Sequence, residues 1–181
     1  MNKKCIRALL GLAIAALATA ASAQDANLYV GANYGKSHFT NGCSLGAPCE
    51  KDRDTGGGFF GGLQFNRWLG VEGGWHTLGT LRVAGVDIKA SALDLVGVLT
   101  VPIQGRFAAY AKGGVYHGDM KSDFGDVRKD GGTFGWGLQY NAGASGAVRA
   151  EYQRFAKMGG SPLPETTHVD MFTIGILFRI H

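Results

Sequence analysis

Few residues of this chain combine type and spacing in a way that could do chemistry. Of its three cysteines, Cys43 and Cys49 lie in one short polar segment. In an oxidising compartment such a pair is expected to close a small disulfide loop, and a zinc site would need more ligands than the segment offers. The five histidines are scattered without metal-ligand spacing. His38 and Thr40 share one face of an extended segment, but a hydrolase needs a strong nucleophile beside a histidine held by an acid. Threonine substitutes poorly, and no such acid is evident. No catalytic residue, metal or cofactor is therefore expected, and the chain is not expected to be an enzyme. What remains is a set of charged residues set singly into apolar, alternating runs, of which Glu72 is the clearest.

The stretch from Phe59 to Trp75 holds two such runs about a polar turn, the pattern of a β-hairpin. In its second run Leu69, Val71 and Trp75 share one parity, while Gly70, Glu72, Gly74 and His76 share the other. In a water-soluble sandwich the apolar face would point inward. In a membrane barrel it would face lipid, and Glu72 would face a narrow lumen.

The beginning of the chain argues for export. Lys3, Lys4 and Arg7 precede an uncharged run from Ala8 to Ala18, and Ala21-Ser22-Ala23 supplies small residues for signal cleavage. The expected leader is 1-23, cut between Ala23 and Gln24, with one domain over 24-181. Without it, three of the 18 Lys and Arg are lost and 15 face 14 Asp and Glu. The basic balance thus belongs mainly to the leader, which removes the compositional case for nucleic-acid binding.

Alternation then recurs to the last residues. Strands are expected around Leu28–Tyr34, across the two arms of the hairpin, over Ile88–Val101 and Phe107–His117, around Phe134–Tyr140 and Val148–Gln153, and from Phe172 to Ile180. Thr40–Gly57, His76–Val86, His117–Gly132 and Phe155–Thr167 read as long loops, being rich in charge, Gly or Pro. The other three connections are short. Eight strands with strictly alternating long and short connections match a transmembrane barrel, which must close because open edges in hydrocarbon leave backbone groups unpaired. The expected fold is all-β, a transmembrane eight-stranded antiparallel up-and-down β-barrel. Tyr34, Phe65, Trp68, Trp75, Tyr140 and Phe178 fall near strand ends, where interfacial aromatics belong.

Phe60-Gly61-Gly62-Leu63-Gln64-Phe65-Asn66, Leu69-Gly70-Val71-Glu72, Arg149-Ala150-Glu151-Tyr152-Gln153 and Ile174-Gly175-Ile176-Leu177-Phe178-Arg179-Ile180 carry a resemblance to the transmembrane domain of the outer-membrane protein A family. The resemblance implies an ion pair across the lumen between Glu72 and Arg149, with Lys112 and Glu151 completing a larger network. Three positions depart from the family: Val98 and Asn33 stand where it has lysine, and Gln139 where it has glutamate. A charge exchange that gates conduction would lack these members, so Glu72 is expected to act as a brace. The family's periplasmic, peptidoglycan-gripping domain is expected to be absent, and Ile180-His181 replaces its terminal phenylalanine.

The implied function is a non-enzymatic outer-membrane barrel that contributes to envelope integrity and presents four surface loops. The alternatives are a loop-borne adhesin and a narrow ion channel. Location implies outer-membrane lipids, lipopolysaccharide included, and the barrel-assembly machinery as partners. A host or surface ligand belongs to the adhesin alternative, and a monomer is expected.

Overall fold

The structure, a computed structural model, describes residues 27–40, 49–83, 85–122, 125–158 and 167–180. Ala23, Gln24 and Cys43 lie outside these residues. Cys49 begins a strand, but its side chain is not described, so the expected leader and disulfide receive no structural account.

Nine strands follow in order: β1 Asn27–Thr40, β2 Cys49–Lys51, β3 Arg53–Gln64, β4 Leu69–Val83, β5 Val86–Gln104, β6 Phe107–Ser122, β7 Gly125–Ala142, β8 Gly146–Phe155 and β9 His168–Ile180. All neighbours pair antiparallel, β1 pairs with β9, and the β4–β5 ladder closes the sheet. The barrel has eight strands; β2 is a short extra strand on β4. Closure leaves no open edge among the eight.

The short connections use compact turn chemistry. Asn66 Oδ1 accepts the N–H groups of Trp68 at 2.8 Å and Leu69 at 2.9 Å, an Asx turn that ends one strand and starts the next. Gly105 and Gly143 adopt φ of 58° and 86°, a left-handed conformation suited to glycine.

Outward-facing residues form an apolar belt. On β5 it contains Leu93, Leu95, Leu99 and Val101; on β7 Phe134, Trp136 and Leu138; on β9 Phe172, Ile174, Ile176 and Phe178. Trp68, Phe107 and Tyr140 border it near the short turns, and Tyr34, Phe59 and Trp75 near the other end. Phe65 departs from the expected girdle: it lines the mouth of the barrel at the short-turn end.

Two expected loops are strands. His76–Val86 and His117–Gly132 continue the β4–β5 and β6–β7 ladders almost to their tips, as far as Val83↔Val86 and Ser122↔Gly125. β3 likewise begins at Arg53, inside the first expected loop. These extensions project about 20 Å of strand beyond the belt. Their charge made them look like loops, yet most of the charges fall on the outer wall, Lys129 and Asp54 taking the inward parity of Val127 and Phe60 instead. Beyond the belt the polarity of the two faces reverses. Outside, Arg82 pairs with Asp87 and Arg128 with Asp119 at 3.0 Å. Inside, Phe39, Leu78, Leu81, Ile88, Met120, Phe155, Met158, Val169 and Met171 form a buried apolar cluster. Water on the outer wall and closure of the inner one explain the reversal.

Candidate functional site: the charged lumen

Below the apolar cluster, inside the belt, polar and charged side chains share the lumen with apolar ones such as Phe60, Val96, Val98 and Leu177. Glu72 on β4 sits at the centre of the assembly. Its Oε2 accepts from Arg149 Nη1 of β8 at 2.7 Å and from the Tyr29 hydroxyl of β1 at 3.0 Å. Its Oε1 lies 3.5 Å from Lys112 Nζ of β6. Lys112 in turn approaches Glu151 Oε1 of β8 at 2.7 Å, and Tyr110 donates to Glu151 Oε2 at 2.7 Å. All four charged residues predicted from the sequence are thus brought together, with side chains 2–7% exposed. Two cations meet two carboxylates, so the cluster is neutral as a whole. Alternation explains the convergence: inward positions of four different strands face one another across a barrel narrow enough to be filled by side chains.

The tyrosines were less legible than the charges, although they complete the coordination of both carboxylates. Room for them comes from glycines on neighbouring strands. A Cβ at Gly62 would lie 2.5 Å from the Tyr29 ring, and one at Gly137 would lie 2.6 Å from the Tyr110 hydroxyl. The signal available in the sequence was Gly-Gly and Gly-X-Gly on inward parity beside strands carrying inward tyrosine. Arg149 also rests against ring faces, its Cζ 4.8 Å from the Tyr110 centroid and 5.2 Å from that of Tyr29.

The three positions at which the resemblance implied charged groups hold neutral side chains. Gln139 accepts from Arg149 Nε at 2.9 Å, as a carboxylate could, and donates to Asn141 Oδ1 at 2.8 Å, which a carboxylate could not. Val98 is buried beside Val96 and Tyr110. Asn33 Oδ1 is buried without a hydrogen-bond partner among the described residues.

A second polar layer lies between the network and the apolar cluster. His76 Nε2 stands 3.5 Å from Asp94 Oδ2, and Gln153 donates to the same oxygen at 2.6 Å and to Thr133 at 3.0 Å. The His76 ring packs 5.8 Å from that of Phe155, which belongs to the cluster. His38 and Thr40, weighed as a catalytic pair, go to different acids on the outer wall: His38 to Asp52 at 3.3 Å and Thr40 to Asp170 at 2.9 Å. No group of three or more metal-ligating side chains occurs among the described residues.

Comparison with known proteins agrees with this architecture. Residues 23–181 match the family model of the OmpA-like transmembrane domain. Outer membrane protein A of Escherichia coli O157:H7 is 29% identical over 99% of this chain and 55% of its own length. That of Shigella flexneri is 32% identical over 99% of this chain and 56% of its own length. The chain thus spans about half the length of these curated relatives. Among solved structures, Neisserial surface protein A superposes with a TM-score of 0.71 at 14% identity, covering 87% of this chain and 100% of that one. The attachment invasion locus protein of Yersinia pestis gives 0.58 at 17% identity, with the same coverage. Sequence match, strand count, closure and apolar belt agree: the chain belongs to the OmpA-like transmembrane-domain family and is an eight-stranded β-barrel of the bacterial outer membrane.

Proposed function

We propose that this chain is a closed, non-enzymatic barrel that contributes mechanically to the outer membrane and presents its extended hairpins at the cell surface. The carrying observation is the apolar cluster that fills the long-connection end of the lumen, from Phe39 and Leu78 to Phe155 and Met171. Interiors of this kind exclude water, so a continuous ion path is disfavoured at that level. Beneath it, Glu72, Arg149, Lys112 and Glu151 serve as a cross-lumen brace. The neutral substitutions at 98 and 139 support a brace over a switch. Planar-bilayer recording of the purified barrel should show no unitary conductance. A steady conductance that Glu72→Ala or Arg149→Ala alters would favour the channel instead. Loss of the gene should sensitise cells to detergent and bile salts; unchanged sensitivity would remove the envelope role.

Further parts of this reading follow from location. The segment 1-23 is a leader removed on export, Cys43 and Cys49 join in a disulfide, the assembly machinery inserts the chain as a monomer, and lipopolysaccharide surrounds the belt.

A second reading, adhesion, is favoured by the reversed polarity of the extensions, whose outer walls carry exposed charge well clear of the belt. The attachment invasion locus protein of Yersinia pestis has been crystallised with the heparin analogue sucrose octasulfate. Exchanging residues 40–57 for a short turn and measuring adherence to host cells tests this reading. Unchanged adherence would count against that loop.

A further inference from the structure

The short-turn end of the lumen, which outer-membrane barrels direct to the periplasm, is open where the other end is filled. It forms a cup of about 620 Å³, within the range of small-ligand sites. Its roof is Arg149 and Tyr29, whose other sides belong to the Glu72 network, so the cup is blind.

The lining of this cup is one-sided in charge. Arg67, Arg149 and Arg179 contribute to it, with side-chain amides from Gln64, Gln139 and Asn141, and among the described residues no Asp or Glu lines it. Arg149 is matched by Glu72. Arg179 is not matched: it donates to Asn141 Oδ1 at 2.6 Å and to the Ala144 carbonyl at 3.4 Å, and touches no carboxylate among the described residues. Arg67 lies 5.1 Å from the Trp68 ring centroid and likewise meets no acid there. A ladder of hydrogen bonds, from Arg179 through Asn141 and Gln139 to Arg149, joins the rim to the roof. The inner guanidinium is thereby held in place before any ligand arrives.

We propose that this blind cup is a periplasm-facing phosphate site, in which Arg179 and Arg67 take the phosphate monoester of a small solute. Two unmatched guanidinium groups balance a monoester, which carries about −1.5 to −2 at neutral pH, better than a phosphodiester with a single charge. Arginine forks suit such oxyanions geometrically, and the surrounding amides supply neutral donors for a polar remainder. The site depends on the barrel alone and not on what the surface hairpins do.

The test uses the folded barrel in maltoside micelles, free of phospholipid. Side-chain ¹⁵N signals of Arg179 and Asn141 are followed by NMR during titration with inorganic phosphate, glycerol phosphate or short-chain phosphatidylglycerol, against chloride at equal ionic strength. Saturable shifts with phosphate and glycerol phosphate are expected, and Arg179→Gln should weaken binding about tenfold. Arg82→Gln, at the opposite end, should leave it unchanged. Absence of saturation in the unaltered protein overturns the site without recourse to any variant. Equal affinity in a folded Arg179→Gln protein overturns the assignment of Arg179. Tighter binding of the phosphodiester overturns the monoester assignment in favour of a lipid headgroup.

Discussion

Replacing Glu72 by glutamine tests the brace most directly, because it keeps the shape and removes only the charge. Glu72 accepts from Arg149 at 2.7 Å and Tyr29 at 3.0 Å, and lies 3.5 Å from Lys112. After Glu72→Gln, two buried cations would share Glu151 alone. Breaking a buried pair in this way costs about 3–5 kcal/mol, whereas a hydrated pair is worth about 0–1 kcal/mol. The packing of Arg149 between Tyr29 and Tyr110 and the 3% exposure of the Glu72 side chain favour the larger figure. The assay is reversible urea unfolding of the barrel in lipid or detergent, read by the fluorescence of Trp68, Trp75 and Trp136. Adding Lys112→Met restores the charge balance, so the double variant should recover part of the loss, with a coupling of about 0.5–3 kcal/mol. If Glu72→Gln costs less than about 1 kcal/mol, or the two changes add without coupling, the lumen is wet and the brace reasoning fails.

Three further predictions concern other layers. Gly137→Ala should displace Tyr110 from Glu151 and cost about 1–3 kcal/mol by the same unfolding assay, because the added methyl meets both the Ala150 carbonyl and the tyrosine hydroxyl. Phe155→Ala, at the base of the apolar cluster against Tyr116 and His76, should cost about 3–5 kcal/mol, seen as a lower unfolding midpoint. Above the belt, burial pushes the Asp170 carboxyl up, but hydrogen bonds from Arg154, Tyr152 and Thr40 outweigh it and hold the group below its ordinary value. The unfolded chain therefore binds more protons in that window. The contribution of the pair to stability should be intact above about pH 4 and lost as pH falls through the lowered value. Acid titration of the unfolding midpoint should show this loss, and Arg154→Gln should flatten it; an unchanged acid limb would refute the assignment.

Much of the membrane-spanning barrel was legible in the sequence because lipid and a narrow lumen impose the same two-residue period on every strand. Leu69, Val71 and Trp75 against Glu72 is one instance, and Phe134, Trp136 and Leu138 against Gln139 is another. The extensions were misread because the period persists there while its meaning changes. Leu81-Arg82 and Met120-Lys121 still alternate, but beyond the belt water lies outside and the apolar members turn inward. Charge density, the usual mark of a loop, concealed strands. The cup was equally hidden: Arg67, Arg149 and Arg179 lie on three separate segments, and only barrel closure brings them to one mouth.

Glu72 shows where sequence ends and tertiary structure begins. Alternation, the expected leader, the rhythm of long and short connections and the count of eight strands sufficed to place it opposite a lipid-facing wall. Its partners were another matter, since Arg149 lies 77 residues away and Tyr29 43. The family resemblance named the arginine. Closure in the observed register decided the rest, because only then do inward positions of β1, β4, β6 and β8 meet at one height. Local period is set by backbone geometry and solvent, which each segment meets by itself. Cross-lumen contacts are set by the register of all eight strands at once.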